Sequence, residues 1–253
     1  MIRIIKYLIL FWSNLFHRNH KSKIIYYHDV GEKYTDMGTD LEAIRRHLEI
    51  VKKCGYEIVD NITERDGQIM VCFDDGWAGI YEAKDFFYEL GVFPTIFIAV
   101  DLIGKPGYLT LEQIIEMQDI GFHFEGHAWK HRDLTTFNEK ELEHEIIDSK
   151  KELSKMLGKE IEAICFPQGR FSDSVLKCCA KAGYSKLYSS ITGGYFDLLE
   201  KKGIICRNLV QSMSDKEFSF TLNATSLFFV KRSIKLHFQN NINAEGSSNK
   251  FVC

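Results

Sequence analysis

From residue 24 onward, short runs of β-branched and aromatic residues alternate with longer stretches of helical period, the pattern of repeated strand and helix units. Ile24 to Tyr27 predicts a first strand. Thr39 and Asp40 then open a helix that carries Leu41, Ile44, Leu48 and Val51 on its apolar face and stops at Gly55. Tyr56 to Val59 predicts a brief strand and Ile69 to Phe73 a longer one. A helix from Tyr81 to Leu90 ends at Gly91, and Thr95 to Val100 returns to strand. Thr110 with Gln113, and Asn138 with Glu141, have the spacing of capping boxes. The first of these helices stops at Gly121 before a short strand at Phe122 to Phe124. The second runs to about Leu157 with Gly158 as its cap. A strand at Ala163 to Phe166, a helix from Ser172 to Ala182 and a strand near Leu187 complete the series. The fold class is α/β, and six or seven such units suit a distorted (β/α) barrel better than an open doubly wound sheet.

The two ends break the pattern. Ile4 to Phe16 is apolar, flanked by Arg3 on one side and by His17, Arg18, Lys21 and Lys23 on the other, but it is interrupted by Lys6, Ser13 and Asn14. It is shorter than the roughly 20 residues that a spanning helix needs. Residues 1–23 therefore form either an interfacial helix in peripheral contact with a membrane or an amphipathic helix packed on the barrel. At the other end, Gln239 to Lys250 is rich in Asn and Ser and poor in apolar residues, which predicts a mobile polar tail over 231–253. The central domain is expected over 24–230.

Composition narrows the partners. The chain has 253 residues with 45% hydrophobic content, enough for one substantial core, and 32 basic against 35 acidic residues give a formal charge of -3. That balance leaves no electrostatic footprint for nucleic acid. Seven cysteines, at 54, 72, 165, 178, 179, 206 and 253, lack the spacing of a zinc ribbon or a disulfide scaffold. Cys72 and Cys165 fall inside apolar strand runs, where a free thiol acts as a small hydrophobe, and this favours a reducing compartment. The expected location is cytoplasmic or at the cytoplasmic membrane, with the cell envelope as the alternative.

Chemistry-bearing residues gather where strands end, which is where α/β barrels place their catalytic groups. Asp74 and Asp75 close the Ile69 to Phe73 strand and precede Gly76, so one carboxylate can hold a cation while the other handles a proton. The same tripeptide is also ordinary turn chemistry. His127 and His131 follow the next short strand but one. If that segment is helical, both imidazoles face one side and suit a single metal ion, although histidines also occupy solvated loops. Together with a carboxylate they make a three-ligand site with room for water and substrate, as in catalytic zinc centres. Pro167, Gln168 and Gly169 end the strand at Ala163 to Phe166 and could offer a backbone N–H to an oxyanion, or form a plain turn. Tyr26-Tyr27-His28-Asp29 delivers His28 to the same rim.

These motifs, in this order, resemble the polysaccharide deacetylase family of the NodB type, carbohydrate esterase family 4, over roughly residues 24–210. Cys72-Phe73-Asp74-Asp75-Gly76 resembles its first motif, Gly126-His127-Ala128-Trp129-Lys130-His131 with Asp133-Leu134 its second, and Phe166-Pro167-Gln168-Gly169 its third. Tyr27-His28-Asp29 followed by Gly55-Tyr56 is similar to the branch that acts on poly-N-acetylglucosamine. The resemblance implies Asp74 as catalytic base, Asp75, His127 and His131 as ligands of one divalent metal, Zn²⁺ foremost, a backbone oxyanion donor at Gln168, and His28 as the acid. An acetylated saccharide is the implied substrate. The chain departs from the family at two places. Cys165 stands two positions before Pro167, where the family often has an Arg that orients the base. Leu236-His237 is the only candidate near the C-terminus for the family's Leu-x-His. Those departures motivate a rival reading, a sugar-binding barrel that has lost catalysis. A metal-dependent nucleotide-sugar transferase using Asp74 and Asp75 is a second rival, but it leaves the histidine pair without a task.

Overall fold

A computed structural model describes residues 19–197, 203–211 and 213–224, with isolated positions at 9, 12, 16 and 231 and the short segment 234–237. Most of the N-terminal segment and of the polar tail considered above lies outside the described residues. Among the described residues, no helix is long and apolar enough to cross a membrane.

Among the described residues, eight strands make the continuous path of one nine-stranded, parallel sheet: β1 (Lys23–Tyr27), β2 (Gln68–Phe73), β3 (Thr95–Ile98), β4 (His123–Gly126), β5 (Ala163–Cys165), β6 (Lys186–Tyr188), β7 (Ile204–Ile205) and β8 (Asn208–Leu209). Their spatial order is β7-β6-β5-β4-β3-β2-β1-β8, with Glu57–Ile58 pairing beside β2 off this path. The order explains the shape. β7 and β8 occupy opposite edges, yet only Cys206 and Arg207 separate them in the chain. Such a link reaches roughly 10 Å at full extension, so the sheet must curl until its edges nearly meet. This is the distorted (β/α) barrel that the alternation of strands and helices predicts.

β1 to β3 carry unbroken apolar runs, at 24–27, 69–73 and 96–98, because both their faces are covered. Alternate residues point to opposite faces. Ile24, Tyr26, Met70, Cys72, Phe97, Ala163, Cys165 and Tyr188 fill the barrel interior, while Ile25, Tyr27, Ile69, Val71, Phe73, Ile96 and Ile98 pack beneath the helices.

The outer helices are α1 (Leu41–Lys53), α2 (Lys84–Glu89, preceded by a single turn at Gly79–Glu82), α3 (Leu111–Asp119), α4 (Ser149–Leu157), α5 (Asp173–Ala182) and α6 (Asp215–Asn223). Both predicted capping boxes are present, Thr110 with Gln113 and Asn138 with Glu141. The helix that Asn138 opens is continuous through Glu139–Leu142, a π-helical turn at Glu143–Asp148 and α4, and Gly158 caps it at φ 63°. α6, for which the chain's periodicity gives no prediction, packs on α1 with Phe218 stacked on His47 at 4.1 Å.

Candidate active site

Strand parity sets the direction of Asp74. Met70 and Cys72 face the barrel interior, so Asp74, one step beyond the end of β2, faces it too, and it is 4% exposed. There Arg207 grips it with both arms of its guanidinium, Nη1 to Oδ1 at 2.6 Å and Nη2 to Oδ2 at 2.8 Å. Arg207 comes from the seam between β7 and β8 and is fully buried, its guanidinium lying 4.2 Å from the Tyr26 ring centre and 5.1 Å from that of Phe97. Nη2 also donates to Cys165 Sγ at 2.8 Å. Burial raises the proton affinity of Asp74, and the adjacent Arg207 charge overrules it, holding the carboxyl below the usual carboxylate range. Asp74 thus has an Arg beside it after all, delivered from the link between β7 and β8, and Cys165 makes room for it.

Asp75 turns the other way. Its φ of 72° lies in the left-handed region, rare for a non-glycine residue, and it carries the carboxylate towards the β4 loop. Oδ1 lies 3.2 Å from His127 Nε2 and 3.0 Å from His131 Nε2. The histidine pair does not reach this point by helical spacing, contrary to the condition set from sequence. Residues 127–131 are a loop in which Ala128 (φ 63°) and His131 (φ 54°) are both left-handed. With Gln168 at φ 58°, all four positive-φ non-glycine residues among the described residues lie in the three motifs. Backbone strain concentrated in this way marks a functional site.

The three ligand atoms fit a cation. His127 Nδ1 is 2.7 Å from the Cys165 carbonyl, an acceptor only, so Nδ1 carries a proton and Nε2 is the ring nitrogen that faces Asp75. Asp75 Oδ1 is buried and, despite the two nearby nitrogens, makes no hydrogen bond of acceptable geometry. Three potential ligand atoms within 4.8 Å of one another are an arrangement that a metal ion satisfies. Trp77 Nε1 donates to the other oxygen, Oδ2, at 3.2 Å and fixes the carboxylate. A second group, Asp74, His127 and Cys165, is equally compact, but Arg207 already sits on both Asp74 and Cys165, which makes that position hostile to a cation.

The remaining predicted residues lie around this centre. His28 follows β1, the neighbour of β2, and its Nδ1 is 2.5 Å from Gln211 Oε1. Pro167, Gln168 and Gly169 form a tight turn after β5. Gly169 has φ 68°, and a Cβ there would stand 2.6 Å from Ser190 Cβ and 2.7 Å from His237 Cδ2, so the turn requires glycine. His237 therefore lies against the third motif. Asp133 of the second motif accepts from Arg170 beside the third at 2.8 Å, tying the two loops together. Arg207 and Trp77 are the residues that motif reading passed over. Arg207 left one signal, a lone cation after the apolar run Ile204-Ile205-Cys206.

Comparison with known proteins gives a family and a fold. Residues 61–187, half of the chain, match the family model described as polysaccharide deacetylase. YxkH of Bacillus subtilis (strain 168) is 26% identical over 178 residues, 65% of this chain and 62% of YxkH. The chain spans 60 to 62% of the length of the curated relatives it matches. Among solved structures, the Streptococcus pyogenes deacetylase PplD in complex with acetate superposes with a TM-score of 0.69 at 23% identity, over 80% of this chain and 98% of PplD. IcaB from Ammonifex degensii gives a TM-score of 0.70 at 17% identity, over 82% of this chain and 99% of IcaB. Both are likenesses of fold. The family match, whose span includes all three motifs, identifies this chain as a member of the polysaccharide deacetylase family.

Proposed function

We propose that this protein is a metal-dependent hydrolase that removes acetyl groups from N-acetylated sugars in a polysaccharide or glycoconjugate. One observation carries the reading: a three-ligand cation site, Asp75, His127 and His131, lies beside a buried carboxylate, Asp74, that an arginine keeps ionised. A divalent ion such as Zn²⁺, when bound, polarises an acetyl carbonyl and makes a water acidic enough to attack it at neutral pH. Asp74 takes the proton from that water, and its ionised state suits it to do so. The Gln168 N–H, in the left-handed turn after Pro167, is the backbone donor assigned to the charge that develops on the carbonyl oxygen. His28, oriented by Gln211, gives a proton to the departing amine, and acetate and a free amino sugar leave.

The early Tyr27-His28-Asp29 and Gly55-Tyr56 favour a poly-N-acetylglucosamine type of substrate. The proximity of His237 to Gly169 favours a second reading of the acid, in which His237 replaces His28. The double hydrogen bond from Arg207 removes one of the two reasons for a binder that has lost catalysis, since Asp74 is held without an Arg at position 165. Trp12 and Phe16, 54% and 65% exposed with rings stacked at 5.5 Å, support a peripheral membrane contact for the N-terminal segment, which liposome co-sedimentation of the full chain tests.

Two variants separate the roles within the site. Asp75→Ala is expected to lose tight metal binding. Asp74→Asn is expected to keep one metal per chain and lose at least ~100-fold in turnover, the usual scale for a general base. Unchanged metal content in the first, or full turnover in the second, contradicts the assignment.

A further inference from the structure

The loop that carries both histidines is held from outside the site. Between His127 and His131 the backbone passes twice through the left-handed region, at Ala128 and at His131 itself, each at a cost on the order of 1–3 kcal/mol. Some of the support comes from β3 and its continuation: His127 N–H donates to the Ile98 carbonyl at 2.8 Å, and the Trp129 carbonyl accepts from Asp101 N–H at 2.9 Å. The centre of the loop is gripped by a side chain. Glu145 Oε2 accepts from both Trp129 N–H (3.0 Å) and Lys130 N–H (2.9 Å), and Glu145 is only 2% exposed.

Glu145 belongs to the π-helical turn at Glu143–Asp148, inserted into a helix that is otherwise α-helical on both sides. Such turns are uncommon and recur at functional sites. Here the turn lets two consecutive residues serve one loop. His144 packs against the Trp129 indole, ring centres 4.4 Å apart and tilted by 34°, while Glu145 takes the backbone amides of Trp129 and Lys130. A carboxylate that accepts two amides is a strong and directional anchor. None of the metal-binding or proton-transfer steps described above uses Glu145.

We infer that Glu145 is a positioning residue for the metal centre: its carboxylate, aimed by the π-turn, clamps the strained loop so that His127 and His131 converge with Asp75, and metal affinity depends on that clamp. The inference rests on the metal-site reading given under the proposed function. Ligands arranged by such outer contacts typically lose about 10–100-fold in metal affinity when the contact is removed.

The test is a zinc titration of the metal-free full chain against a chromophoric chelator, in wild type, Glu145→Leu, Glu145→Gln and His131→Ala. Glu145→Leu is expected to weaken zinc binding by about 10–100-fold. Glu145→Gln, whose amide oxygen can still accept both N–H groups, is expected to stay within a few-fold of wild type, a rescue that general loss of packing would not give. Zinc binding by folded Glu145→Leu as tight as wild type overturns the clamp while leaving the metal site intact. Wild type binding no tighter than His131→Ala overturns the metal site itself, and the clamp with it. If Glu145→Leu does not fold, amide hydrogen exchange in metal-free wild type decides: slow exchange at Trp129 and Lys130 is expected, and exchange at the rate of open loop amides overturns the clamp.

Discussion

Asp74 and Arg207 are separated by 133 positions in sequence and form the most buried ion pair in the centre. A lysine at 207 would keep the charge but lose the two-armed geometry that fixes the carboxylate plane. Arg207→Lys is therefore expected to lower turnover by up to about 100-fold, the effect of a misplaced reacting group, with bound metal unchanged. Turnover equal to wild type would take Arg207 out of the site. The acid is decided in the same way. With His28 as donor, His28→Ala loses most turnover on a substrate with a poor amine leaving group and His237→Ala loses little; the reverse result assigns the role to His237. The carboxylates, imidazoles and Pro-Gln-Gly turn were legible in the sequence because each sits at the end of a strand that hydrophobic runs locate. Arg207 was not, because a lone cation in an apolar run announces a buried partner without saying which of the chain's carboxylates it is.

At the scale of elements, every strand from β1 to β6 and every helix from α1 to α5 has a sequence signature, since each is long enough to show a period or carries a cap. β7 and β8 are two residues each, too short to show one, and they are recognised only by their partners β6 and β1. The 127–131 segment misleads for a different reason. Four-residue spacing suggests a helix, but the two left-handed residues that bring the imidazoles together have no signature when neither is glycine. The Asn138 cap matters more than most, because it starts the helix that presents Glu145. Its side chain accepts from Glu141 N–H at 3.1 Å, and Glu141 answers on Asn138 N–H at 2.9 Å. Asn138→Ala is expected to cost about 1 kcal/mol, a fall of roughly 2–4 °C in the melting temperature of a chain this size. An unchanged melting temperature would show that neighbouring contacts hold the helix start.

Across the whole molecule, β8 pairs with β1 while its two-residue link to β7 draws the sheet edges together, and the base of β1 is buried. Lys23 on β1 is 1% exposed, with Nζ donating to Asn19 Oδ1 at 3.2 Å and to the Leu222 carbonyl at the end of α6. Burial pulls its pKa down to about 7. The folded state thus holds the proton less tightly than the unfolded chain, so this residue's contribution to stability rises as pH climbs from about 7 towards the unfolded value near 10.4. In denaturant titrations, the stability of wild type relative to Lys23→Met is expected to increase over that range, and a flat difference would contradict a lowered pKa. The barrel as a whole puts one chemistry at its open rim. The most direct test of that claim is acetate release from N-acetylated glucosamine oligomers by the purified full chain, with and without a chelator and after adding zinc back. Release that the chelator abolishes and zinc restores is the predicted result; release that persists undiminished in metal-free protein would contradict the metal-dependent deacetylase.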